Sequence, residues 1–180
     1  MIIDALQSLE KESRKRGIPI LGSEKGTWLL KKVEELEPVN VLELGTANGY
    51  SGIILGATGA HLRTIEKNPA MAKEAEQHFK AFGIDATVVV GDVIEEVKKM
   101  AKDLGYVNVF DIVFIDFEKK GYVTALKHCL KLVRIGGYII ADNVDMEKCQ
   151  EFKEEIFSNS ELKTEIVHIG DGLSISEKLY

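Results

Sequence analysis

The chain is short of cysteine, of long apolar runs and of basic charge, and each shortage removes a class of function. Its two cysteines, Cys129 and Cys149, lack the spacing of a metal-binding or redox pair, so each reads as a free thiol in or beside a helix. The four histidines, His61, His78, His128 and His168, are scattered and form no pair with metal-ligand spacing. No apolar stretch approaches the roughly 20 residues that cross a bilayer. The segment from Met1 to Arg16 mixes charges with apolar residues at helical spacing and has no unbroken apolar core, unlike a signal peptide. A cytoplasmic location without membrane partners is therefore expected. The net charge of −6 weighs against tight, non-specific nucleic-acid binding, which relies on clustered Lys and Arg. There is also no internal repeat, low-complexity stretch or Pro/Ser-rich linker.

What is present is an ordinary globular pattern. A length of 180 residues suits one domain with a full core. The expected organisation is a single domain over 1–180, with N-terminal helices in 1–37 and an α/β core in 38–180. Ile2, Leu6 and Leu9 mark a first helix that stops near Gly17 and Pro19, and Trp28 to Leu36 mark a second. Short β-branched runs then alternate with amphipathic stretches. Strands are expected at 39–44, 62–66, 86–91, 110–116 and 138–141. Helices are expected at 69–82, 93–104, 122–133 and 147–157. The end differs: 165–169 and 173–177 read as two strands joined by the three-residue loop Gly170-Asp171-Gly172. Strands alternating with helices imply a mainly parallel sheet covered on both faces, here closed by one antiparallel hairpin.

The first strand runs directly into Glu-Leu-Gly-Thr-Ala-Asn-Gly (43–49), followed by a helical pattern. Ligands of open α/β sheets bind at strand carboxyl ends. Gly45 and Gly49 permit a tight turn and a close approach of backbone to ligand. The dinucleotide fingerprint G-x-G-x-x-G is absent, and the acid Glu43 precedes the first glycine. A carboxylate there repels pyrophosphate and suits the ammonium of an amino-acid moiety, which a methionine-derived cofactor carries. This disfavours NAD. Glu66, ending the second strand, can accept both ribose hydroxyls. Asp92, after the third, lies where an adenine edge is expected. Each acid alone could equally be a solvated strand end; together they point to S-adenosylmethionine.

Asp116 ends the fourth strand and Asp142-Asn143 the fifth, on the same sheet edge. Two carboxylates and an amide oxygen form a hard donor set suited to Mg²⁺, Mn²⁺ or Ca²⁺. The same residue types also cap loops, and spacing does not separate the two. Lys119 is a candidate general base near a cation, or part of the solvated run Glu118-Lys119-Lys120. Tyr122 packs or lines a pocket.

These segments together resemble the cation-dependent O-methyltransferases related to the catechol and caffeoyl-CoA enzymes, most closely their small prokaryotic members. The resemblance runs from about Ile18 to Lys178. It is carried by Gly26 and its helix, Val-Leu-Glu-Leu-Gly-Thr-Ala-Asn-Gly-Tyr-Ser (41–51), Asp116 through Lys119 to Tyr122, Gly-Gly-Tyr-Ile-Ile-Ala-Asp-Asn-Val (136–144) and Gly-Asp-Gly-Leu (170–173). It implies a Rossmann-like S-adenosylmethionine-dependent methyltransferase fold with a seven-stranded sheet. It implies that Glu43, Gly45, Thr46 and Ser51 surround the methionine part of the cofactor. Glu66 then takes the ribose, and Asp92-Val93 the adenine. Asp116, Asp142 and Asn143 match the metal ligands, Asp116 lies beside the cofactor and the chemistry, and Lys119 matches the base. The implied reaction is O-methylation of a small molecule with neighbouring oxygens.

The chain departs from plant and animal relatives by lacking their long segment after Asp-Asn. It is also short at the N-terminus and has Phe117 and Glu118 where the family usually has a small residue and an acid. Against the family pattern, much of the lid over small aromatics is expected to be missing. Either the site is open to a larger acceptor, such as a modified RNA nucleoside, or a second subunit supplies the wall, and a homodimer is expected. The competing readings are a metal-free methyltransferase and a non-catalytic S-adenosylmethionine-binding module.

Overall fold

A computed structural model describes residues 2–180. They divide into two compact units, the first running to Gly91 and the second covering Asp92–Tyr180. The first contains α1 (Ile2–Ala5), α2 (Gln7–Lys15), α3 (Ser23–Leu36), β1 (Asn40–Leu44), α4 (Tyr50–Leu55), β2 (His61–Glu66), α5 (Pro69–Phe82) and β3 (Ala86–Val90). The second contains α6 (Val93–Met100), β4 (Phe110–Ile115), α7 (Tyr122–Leu132), β5 (Val133–Asp142), α8 (Gln150–Ser158), β6 (Leu162–Val167) and β7 (Leu173–Lys178). The strand order is β3-β2-β1-β4-β5-β7-β6. No described helix is long and apolar enough to cross a membrane.

In the first unit β1, β2 and β3 are parallel, with Glu43 opposite Thr64 and Glu66 opposite Val90. Val41, Leu42, Leu44, Leu62 and Ile65 are buried, and so is every residue of α4. This six-residue helix has no charged side chain and no solvated face, and so it becomes core. Helix α5 has clear end signals. Asn68 caps it by accepting from the Ala70 and Met71 amides, Pro69 opens it, and Gly83 ends it at φ 67°.

In the second unit β4 and β5 are parallel, whereas β5–β7 and β7–β6 are antiparallel. The hairpin is present, but its boundaries differ from expectation. Strand β6 begins at Leu162, because Asn159 closes a turn by accepting from the Glu161 and Leu162 amides. The strand ends at Val167, two residues early, so the connecting loop is 168–172, five residues rather than three. Strand β5 starts at Val133 and carries Gly136-Gly137 in an irregularity, since Phe110 pairs with Val133 but Ile112 with Tyr138. A Cβ at Gly137 would lie 2.9 Å from the Asp111 carbonyl oxygen, so this crowded bend requires glycine. Helix α6 stops at Met100, short of Leu104, and the first expected helix is broken at Leu6.

One buried charge braces the second unit. Lys178 on β7 is 6% exposed, and its Nζ donates to Asn108 Oδ1, Leu130 O and Val133 O at 2.8, 2.7 and 3.0 Å. Burial holds this amine below the usual lysine range, opposed by Glu161. The protonated form therefore costs stability, and that cost fades as pH rises through the folded pKa toward the unfolded value. Lys178→Met removes three hydrogen bonds, one of them to the buried Val133 carbonyl, and is expected to destabilise by about 1–3 kcal/mol at pH 7. Denaturant melts should show the gap to wild type widening with pH; a gap that narrows contradicts this account.

Candidate active site

The first cluster forms where β1 ends. Gly45, Ala47 and Gly49 lie at φ 98°, 46° and 93°, left-handed backbone that favours glycine and strains Ala47. Glu43 is wholly buried. Its Oε1 accepts from Ser51 Oγ at 2.5 Å and its Oε2 from Thr64 Oγ1 at 2.6 Å. Thr46 Oγ1 lies 2.5 Å from Thr64 Oγ1. With its proton directed at Glu43, the Ser51 hydroxyl presents only lone pairs elsewhere, and those suit an ammonium group. Glu66 accepts from the Ala47 amide at 2.9 Å through Oε2 and from the Asn68 amide at 2.8 Å through Oε1. It thus fixes the strained residue of the turn, and each oxygen still has a lone pair for a hydroxyl.

The second unit carries the other predicted residues. Asp92 is the N-cap of α6, accepting from the Glu95 amide at 3.1 Å, and Val93 is buried beside it. Asp116 follows β4. Its Oδ1 accepts from Lys119 Nζ at 2.9 Å, and the same ammonium donates to Tyr122 Oη at 2.8 Å while lying 5.0 Å from that ring's centroid. Lys119 is therefore held within the cluster with its side chain 17% exposed, whereas Lys120 pairs with Glu118 at the surface and its side chain is 81% exposed. The buried Tyr122 hydroxyl lies 3.2 Å from both the Ile115 and Asp142 carbonyl oxygens, tying the ends of β4 and β5. Burial, with Asp116 and Asp142 nearby, pushes its pKa far up, so it stays a phenol. Phe152 packs edge-on against its ring at 5.2 Å.

Asp142 is 3% exposed, and its Oδ1 accepts from the Asn143 amide at 2.8 Å. Asn143 is left-handed at φ 61°, and its Nδ2 donates to Asp171 Oδ2 at 2.7 Å. Donating from nitrogen to Asp171 fixes the orientation of the amide, which matters for a residue whose oxygen is the candidate ligand atom. Among the described residues no group of three or more His, Cys, Asp or Glu could hold a metal. The candidate donor set is instead two carboxylates and one amide, hard oxygens that fit Mg²⁺, Mn²⁺ or Ca²⁺ with water completing the shell.

Sequence reasoning missed Thr64, Asp171 and the position of Tyr122. Thr64 becomes visible only once the β1–β2 register sets it opposite Glu43. A groove of about 400 Å³ in the first unit, lined by Glu12, Arg16, Lys73, Glu74, Gln77 and His78, lies on α2 and α5 rather than at the strand ends.

A family model described as O-methyltransferase matches residues 3–179. The chain belongs to the O-methyltransferase family. It is 33% identical to the catechol O-methyltransferase of Bos taurus over 181 aligned residues, covering 94% of this chain and 62% of the relative. It is 35% identical to catechol O-methyltransferase B of Danio rerio over 151 residues, covering 80% of this chain and 57% of the relative. This O-methyltransferase family member thus spans about three-fifths of the length of those curated relatives. The structure of the O-methyltransferase from Bacillus cereus in complex with SAH superposes with a TM-score of 0.86 at 22% identity, covering 97% of this chain and 90% of that one. This likeness shows the fold: a seven-stranded mixed sheet with an antiparallel end, as in S-adenosylmethionine-dependent methyltransferases.

Proposed function

We propose that the chain acts as one domain, 1–180, transferring a methyl group from S-adenosylmethionine to a hydroxyl of a small molecule bearing neighbouring oxygens, with help from a divalent cation. The observation that carries this reading is the joint presence of Lys119–Asp116 after β4 and Asp142–Asn143 at the end of β5, strands that are direct neighbours. Family membership supports the donor, and so does the glycine turn with its buried Glu43.

Each residue has a task in this reading. Ser51 and Glu43 receive the amino-acid end of the cofactor, Gly45 and Thr46 let it approach the backbone, Glu66 binds the ribose, and Asp92-Val93 flank the adenine. Asp116, Asp142 and Asn143 hold the cation, which supplies positive charge that lowers the pKa of an acceptor hydroxyl. Lys119 in its amine form accepts the hydroxyl proton. The freed oxygen bonds to the methyl carbon as the carbon–sulfur bond breaks, its electron pair returning to sulfur. Holding the two reactants in line supplies most of the acceleration. The proposal extends to a cytoplasmic homodimer whose second copy completes the acceptor wall; sedimentation at micromolar concentration tests the pairing.

Calorimetry is expected to show binding of S-adenosylmethionine and none of NAD. Turnover of a catechol should require Mg²⁺ and stop with chelator. Turnover that survives chelation refutes the cation's role and favours a metal-free acceptor such as an RNA nucleoside. Absent cofactor binding refutes the whole reading.

A further inference from the structure

We propose that α2 is a positioning element for the cofactor turn, acting through Ser13 and Glu10. The inference rests on the reading of residues 43–51 as the S-adenosylmethionine site.

The turn needs support from outside itself. Three of its residues are left-handed, one of them an alanine, and its internal bonds are few. The Gly49 amide donates to Thr46 O at 2.9 Å and the Ala47 amide to Glu66. Asn48, between the left-handed Ala47 and Gly49, points into the first unit and is wholly buried. Its Nδ2 donates to Ser13 Oγ at 2.7 Å. Ser13, also wholly buried, gives its own proton to Leu9 O at 2.6 Å, so its oxygen is oriented to accept from Asn48. The Asn48 carbonyl is met by His78 Nδ1 at 2.7 Å. At the other end of the turn Tyr50 Oη donates to Glu10 Oε2 at 3.2 Å, while Arg14 holds Glu10 Oε1 at 2.8 and 3.1 Å. Glu10 and Ser13 are three residues apart on one helix and so share a face. That face holds the turn at two points.

The Asn48 Oδ1 atom adds nothing to this hold, although the side chain also bonds Glu74 on α5. Oδ1 is buried and has no hydrogen-bond partner. Such an atom favours any state that returns it to water. The buried pose of Asn48 therefore depends on the remaining bonds, of which the Ser13 contact is the one made by α2. Loss of that contact lets Asn48 leave and releases Ala47 and Gly49 from left-handed backbone. Cofactor affinity then falls in proportion to the fraction of molecules whose turn is ready.

The test uses the full chain and two readouts. Hydrogen exchange at the Ala47 and Gly49 amides, without cofactor, reads the turn itself. Calorimetry with S-adenosylmethionine reads its consequence. Ser13→Ala is expected to speed both amides about tenfold and to raise Kd about tenfold. The control is Thr164→Ala, which deletes a hydroxyl that bonds Ile156 O and Ser176 in the second unit. It should lower the melting temperature and leave both readouts at wild-type values. If Ser13→Ala fails to fold, Tyr50→Phe, which removes only the hydroxyl bonded to Glu10, decides by the same two readouts. Unchanged exchange overturns the inference, and so does faster exchange with unchanged Kd. A wild type that fails to bind the cofactor overturns the proposed function instead, whereas the exchange result still shows whether α2 holds the turn.

Discussion

Asp142→Asn should lower methyl transfer about a thousandfold while leaving the fold intact. The substitution keeps the size and shape of the side chain. Its remaining oxygen can still accept from the Asn143 amide, the bond that Asp142 makes at 2.8 Å. What disappears is one negative charge on a side chain only 3% exposed, where a charge interacts strongly with a cation. Charge stabilisation by a bound cation is worth several kcal/mol in a transition state, which corresponds to about three orders of magnitude in rate. Initial rates on a catechol at saturating Mg²⁺ measure the effect, and a thermal melt checks the fold. The residual rate should no longer respond to chelator. A variant that retains more than a tenth of wild-type activity shows that the charge on Asp142 is not used.

The second large effect is expected at Glu43. Glu43→Gln replaces a wholly buried carboxylate that accepts from Ser51 and Thr64. An amide accepts at only one end, so one of these hydroxyls must reverse. If it is Thr64, its partner Thr46 must turn as well, because those two oxygens are 2.5 Å apart. Hydroxyls rotate at little cost, and the expected loss of stability is about 1–2 kcal/mol. The effect on the cofactor is larger. Without the carboxylate, the Ser51 oxygen loses the charge that polarises it toward an ammonium, and a charge-assisted interaction becomes a neutral one. Affinity for S-adenosylmethionine should fall about 10- to 100-fold. Calorimetry compares wild type with variant. A variant that binds as tightly as wild type but melts lower assigns Glu43 to packing alone.

How much of this was legible from residues varies from element to element. Helix α5 was readable to its ends, because Asn68, Pro69 and Gly83 each encode a local conformation. The glycine turn was readable for the same reason: Gly45 and Gly49 do adopt positive φ. The start of β6 was not. It depends on Asn159 closing a turn and on Leu162 pairing with Lys178 at the far end of the hairpin. Lys119 shows the same limit within the site. In sequence it belonged equally to a solvated charge run, and only the positions of Asp116 and Tyr122 separate it from Lys120.

The sequence by itself determined the alternation of strands and helices, the turn at 43–49, and the acids and amide at the strand ends. Periodicity, glycine and capping chemistry act over a few residues, and a single chain displays them directly. The tertiary structure decided which of those groups meet. It set Thr64 against Glu43, laid Tyr122 beneath Lys119 and across the ends of β4 and β5, and brought Ser13 to Asn48. Such contacts join residues far apart in the chain and follow from strand register and helix packing, which no local pattern encodes.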